Sequence, residues 1–212
     1  MARKFIIFNK LLLLFSIIIF SFHSFTKADD ISGFEIEGFS LNESLLKYFS
    51  KDKIDEEINS EWSLKYGNDF IQIGIGYGND FPLLKKLENY DEVTIVLKTN
   101  DLSYKIFSIA GKIFCKNHDE CIGKKEEISF SLKQFFGDNV LTEEYTDKHE
   151  ADKTGKSITY NTEFKFINSG HIIEVSFYDW SKKFEEEKSY EDNIKVIMHS
   201  DEFSDFLVEH YE

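Results

Sequence analysis

Two pairs of β-forming runs, each pair joined by a short turn signal, constrain this chain more than any other feature. Val93 to Lys98 is rich in β-branched and aliphatic residues, Asn100-Asp101 supplies turn chemistry, and Tyr104 to Phe114 follows. In that second run Ile106, Ser108 and Ala110 alternate with Phe107, Ile109 and Gly111, the period of a strand. The same arrangement recurs at Ser157 to Ile167, Asn168-Ser169-Gly170 and His171 to Trp180. Two hairpins predict an antiparallel sheet. Helical patterns before and between them predict an α+β fold with amphipathic helices packed on one face of that sheet.

The remaining segments fit around this frame. Phe70 to Ile75 reads as a further strand, with the repeated pentapeptide Tyr-Gly-Asn-Asp-Phe at 66–70 and 77–81 as a turn on either side. Ile194 to His199 reads as a last strand. Leu41, Leu45, Leu46 and Phe49 follow helical spacing behind Ser40 or Asn42 as a cap, and a short second helix is expected over about 51–59. Leu83 to Leu87, just after the lone Pro82, reads as a helical turn. The strongest helix lies at 122–136, with Ile128, Leu132, Phe135 and Phe136 on one face and Gly137 as its stop. A terminal helix over 202–210 turns Phe203, Phe206 and Leu207 inward. Polar residues 142–157 read as a solvated loop, and 182–191 as a charged connection. Ser44 to Phe49 is similar to Ser131 to Phe136, and each precedes a hairpin. That likeness predicts two related helix-plus-hairpin halves, 34–114 and 122–212.

The N-terminus has a different composition. Arg3, Lys4 and Lys10 precede an apolar run from Leu11 to Phe22, and Thr26-Lys27-Ala28 places acceptable residues at −3 and −1 of a cleavage site. This is the pattern of a Sec signal peptide over residues 1–28, leaving 29–212 as a single α+β domain in the periplasm or secreted. A retained N-terminal membrane anchor is the alternative, but the run falls short of the ~20 apolar residues a spanning helix needs. No stable membrane insertion is expected once the peptide is removed. Residues 1–28 hold four of the 25 bases and none of the 39 acids, so the remainder carries 21 lysines and a net charge of −18. Such a surface repels nucleic acid and anionic membranes.

Reactive side chains are few and scattered. Cys115 and Cys121 enclose Lys-Asn-His-Asp-Glu, and in an exported chain such a pair is read first as a disulfide. Free thiols are a second reading. A metal site with His118 and Asp119 or Glu120 is a third, although the spacing matches no zinc knuckle, and no metal or cofactor is assigned. Gly74, Gly76 and Gly78 lack the spacing and the following Lys-Ser/Thr of a phosphate loop. No histidine pair, nucleophile elbow or carboxylate pair forms a catalytic constellation, so no catalytic residue is assigned. Tyr178 and Trp180 could offer a stacking surface to a sugar or peptide; core packing is the competing reading. These features point to an exported, non-catalytic protein- or ligand-binding module whose partner is an envelope protein or a small ligand. A small hydrolase or carbohydrate-active enzyme using carboxylates is the first alternative, and a small-ligand carrier the second.

Ile36-Glu37-Gly38-Phe39-Ser40-Leu41-Asn42-Glu43-Ser44-Leu45-Leu46-Lys47-Tyr48-Phe49-Ser50 resembles the opening of a group of uncharacterised exported proteins from small-genome marine alphaproteobacteria. Phe39 and Asn42 depart from the group's usual residues, and Tyr104 to Gly111 also fits it. The resemblance implies export and carries no activity. At the level of layout, the chain is also similar to small envelope modules of the BamE and β-lactamase-inhibitor types, which act by binding proteins.

Overall fold

The computed structural model describes residues 31–76, 83, 85–188 and 190–211. The expected signal peptide and the second Tyr-Gly-Asn-Asp-Phe copy lie outside the described residues. Eight strands form one antiparallel sheet: β1 (Leu64–Tyr66), β2 (Phe70–Ile75), β3 (Glu92–Lys98), β4 (Ile106–Phe114), β5 (Val140–Lys148), β6 (Ile158–Phe166), β7 (Ile172–Asp179) and β8 (Asn193–His199). Among the described residues four α-helices accompany them: α1 (Lys51–Ile58), α2 (His118–Phe136), α3 (Lys182–Lys188) and α4 (Asp201–Tyr211). The spatial order is β1-β2-β3-β4-β8-β7-β6-β5. From either outer edge, then, the strands run inward in sequence order as a four-stranded meander. The two meanders meet at β4 and β8, which pair from Ser108↔His199 to Phe114↔Asn193.

Register assigns a chemistry to each face, because cross-strand partners share a face. On one face Ile73 opposes Ile95, Ile95 opposes Ile109, and Ile109 opposes Met198; Val175 opposes Val196, and Phe164 opposes Ile173. All are buried and belong to one continuous core with Leu45, Ile54, Leu132 and Phe136 from the helical side. α1 and α2 therefore cover this face, as expected. Gly111 lies in the same layer because the Tyr90 ring rests on it: a Cβ there would stand 2.4 Å from that ring. On the other face, α4 lays Phe203 and Phe206 over Phe70, with ring centroids 5.0 Å apart in both cases. Val96 and Phe107 complete this second, smaller cluster. Helices thus lie on both faces, although α4 covers only the first meander.

Five local readings change. The segment 142–157 is not a loop throughout, since β5 occupies its first half and pairs with β6 along nine residues. Residues 182–191 contain a helix, α3, docked by its single apolar residue, Phe184, against Trp180. The helix expected over 41–49 is reduced to a 3-10 turn at Leu45–Lys47. Here tertiary pairing overrides propensity: Asn42 N–H donates to the Ile106 carbonyl and Leu45 N–H to the Tyr104 carbonyl, at 2.9 Å each, tying the segment to β4. Leu83 is a bend, and 85–87 carry no regular structure. α2 also begins four residues earlier than the spacing suggested, capped by Asn117, whose side chain accepts the Glu120 N–H at 3.0 Å.

Candidate functional site

The second meander leaves its outer face without a covering helix among the described residues. Cross-strand register builds that face from Glu143 and Tyr145 on β5, Asn161 and Glu163 on β6, Glu174, Ser176 and Tyr178 on β7, and Lys195 on β8. Lys112 and Glu92 continue it onto the first meander, joined by an ion pair. The face is polar yet partly desolvated: Ser176, Asn161 and Asn193 are buried, and Tyr145, Tyr178, Glu174 and Lys195 are partly buried.

Hydrogen bonds and charge organise it. Glu174 accepts from the Ser176 hydroxyl and from the Tyr145 hydroxyl, the latter at 3.4 Å. The Lys195 ammonium stands 4.3 Å from the centre of the Tyr178 ring, a cation–π contact. Burial lowers the Lys195 ammonium to about 8, nearby Lys112 adds to the effect, and Glu174 and Glu92 oppose it. Burial, reinforced by Glu174, pushes both Tyr145 and Tyr178 well above the ordinary phenol range, so both hydroxyls remain donors at neutral pH. Glu143, Glu163 and Glu174 form a cross-strand row. Like charges set directly opposite cost stability. The arrangement offers phenol donors, one desolvated amine and carboxylate acceptors on a surface, with an acidic side toward β5.

Tyr178 and Trp180 stack on each other, with ring centroids 5.8 Å apart, but differ in exposure. Tyr178 lies on the open face beneath Lys195. Trp180 is buried at the end of β7 among His149, Phe184 and Tyr190, with ring centroids 4.4, 5.3 and 4.9 Å away. It therefore braces the rim of the face. Below it, Asp152 closes the β5–β6 connection, accepting from Thr154 and Ser157 through both backbone and hydroxyl and from the Ser181 hydroxyl. Those bonds hold the Asp152 carboxyl far below the usual carboxylate range. The Cys115 and Cys121 sulfurs stand 2.11 Å apart, at disulfide distance. His118, between them in sequence, turns to Asp179 at 3.3 Å and packs edge-on against Phe177. Among the described residues, no group of three or more His, Cys, Asp or Glu is placed to hold a metal ion.

The histidine contact at the centre of the sheet is structural. His199 Nδ1 lies 2.9 Å from the Ser108 hydroxyl, in the layer that α4 closes. Burial lowers His199 to about 4, so the imidazole is neutral. Lys195, Tyr145 and Glu174 were not singled out from the sequence. Their common face depends on the β5–β6–β7–β8 register, and the one available signal was the polar alternate position in each strand. No protein-family model, curated protein or solved structure matches this chain. No helix among the described residues is long and apolar enough to cross a membrane.

Proposed function

We propose that the chain is an exported binding module that engages its partner through the open face of β5–β8. One observation carries this reading: Tyr145, Tyr178 and Lys195 are held partly desolvated on a face that no described helix covers. Desolvated aromatic and charged groups on a rigid sheet are the composition of an interface centre. Rows of side chains set across a sheet suit binding better than turnover. The signal pattern of residues 1–28 supports a periplasmic or secreted site of action, and the oxidising compartment would keep Cys115 and Cys121 bridged. A carboxylate-using hydrolase is the competing reading, favoured by the register that sets Glu163 opposite Glu174.

Site-specific photo-crosslinking in the native host tests the reading. A crosslinker at Tyr178 should give a discrete adduct, whereas one at exposed Leu46, beside the helix-covered face, should not. Equal labelling at both positions, or turnover on a glycan or ester panel that is lost in Glu163→Gln, would overturn it. N-terminal sequencing of the isolated chain should begin at Asp29. An intact mass lower by two thiol hydrogens would establish the bridge.

A further inference from the structure

The sheet ends on one side at β5, a strand nine residues long, where the opposite edge strand, β1, has three. The direction of each β5 backbone group follows from two bonds that bracket the strand. The Ile167 N–H donates to the Asn139 carbonyl at 3.1 Å, and the His149 N–H to the Ser157 carbonyl at 2.9 Å. Both pairs continue the β5–β6 register, and antiparallel ladders alternate bonded and non-bonded pairs. Positions 141, 143, 145 and 147 therefore bond to β6. Thr142, Glu144, Thr146 and Lys148 aim their N–H and C=O groups outward, away from the sheet.

A shallow cleft of about 230 Å³ adjoins this free edge, lined by Ile122, Lys125 and Glu126 of α2 and by residues 144–146 of β5. Its floor is formed by Lys125, whose buried ammonium donates to the Thr162 hydroxyl at 2.5 Å. One helical turn beyond Glu126, in the row that starts at Ile122, lies Phe130, on the same flank of α2 and 64% exposed. A strand added to β5 would send alternate side chains into this cleft and against Phe130. Its other side chains would extend the open face beside Glu143 and Asp147. Charge selects the occupant. β5 holds Glu143, Glu144 and Asp147 against the single Lys148, and Glu126 adds to the acid from α2. A second copy of this chain would set acid against acid along the same edge.

We infer that the β5 edge and its α2 cleft form a strand-addition site for an extended, basic segment of a partner protein, with Lys or Arg alternating with apolar side chains. Main-chain bonds to Thr142, Glu144 and Thr146 would supply affinity, and the cleft and acidic rim would supply selectivity. The inference does not rest on the Tyr178–Lys195 surface, since an added strand pairs with backbone.

The test uses the folded chain and a synthetic peptide of alternating lysine and valine, matched in length to β5. Saturable binding is expected, with slowed amide exchange at Thr142, Glu144 and Thr146 and no change at the β6-bonded odd positions. Thr146→Pro removes an outward N–H without touching the β5–β6 ladder. It should weaken binding by roughly tenfold or more, the scale of a lost backbone bond together with the ring's clash with the incoming strand. Thr146→Val should bind normally. Absence of binding, equal binding by a block-ordered peptide of the same composition, or exchange protection spread over odd and even positions alike would overturn the inference. So would a dimer of the free chain that Thr146→Pro dissolves, because the edge would then belong to a second copy. If Thr146→Pro fails to fold, the exchange pattern of the unsubstituted chain still decides.

Discussion

Phe177 and Tyr178 are neighbours in sequence and face opposite ways across the same strand. Phe177 is fully buried, in the layer with Ile194 and under His118; Tyr178 is partly buried, and its ring carries the Lys195 ammonium. The contrast holds along the whole second meander. One face is filled by Ile, Val, Phe and Met, whose removal from water provides the main stabilisation. The other carries Glu, Ser, Tyr and Lys, which contribute little to stability and include a row of glutamates that opposes it. A sheet that needed only to fold could have covered both faces with helices, as the first meander does beneath α4. Leaving one face polar and open separates the residues that hold the fold from those available for recognition.

The comparison is sharpest at its own pair. Phe177→Ala should cost about 3–5 kcal/mol in chemical unfolding, the range for emptying a large buried aromatic site. Tyr178→Ala should cost about 1 kcal/mol, as for a substitution outside a packed core. Equal losses would mean that the open face is a second core. Phe203→Ala should fall below Phe177→Ala, at about 3 kcal/mol, because its cluster is smaller, and circular dichroism should show lost helix as α4 detaches. Gly111→Ala should cost about 1–3 kcal/mol through the Tyr90 ring, whereas Ala at exposed Gly123, with nothing within 4 Å of its Cβ, should not destabilise. A further effect is one of pH. His199 has a folded value of about 4 against an ordinary 6.5, so below 6.5 the unfolded chain binds the proton first. Stability should therefore fall as pH drops from about 6.5 toward 4, and His199→Gln should flatten that window. Asp152, also depressed in the folded state, loses its contribution only at lower pH. A slope that persists in His199→Gln would assign the window to another group.

The aliphatic face was legible in the sequence because its strands announce themselves. Val93 to Leu97, Ile106 to Ile113 and Ile194 to Met198 are rich in β-branched and aliphatic residues, and Asn100-Asp101 marks the turn between the first two. β5 was not legible, for a physical reason. An edge strand that buries only its first residue needs few apolar residues, and Val-Leu-Thr-Glu-Glu-Tyr-Thr-Asp-Lys spends its positions on charges that discourage aggregation. α3, with Phe184 as its single apolar residue, shows no periodicity to detect. Tyr178 could be picked out by residue type alone. Lys195 and Glu174 could not, because strand register, and not sequence distance, brings them beside it.

The meeting of β4 and β8 at the centre of the sheet also sets an order of assembly. Ser108 and His199, partners across that seam, are 91 positions apart. A chain emerging N-terminus first can finish its first meander early, but β4 then leaves the edge from Ser108 to Phe114 unpaired until β8 is made. Closing so long a loop is slow, and an exposed edge of this kind is where chains stick to one another. The vulnerable moment of this molecule therefore comes late in its synthesis. A chain cut short before Asn193 would keep a complete first meander and lose the strand that shields it.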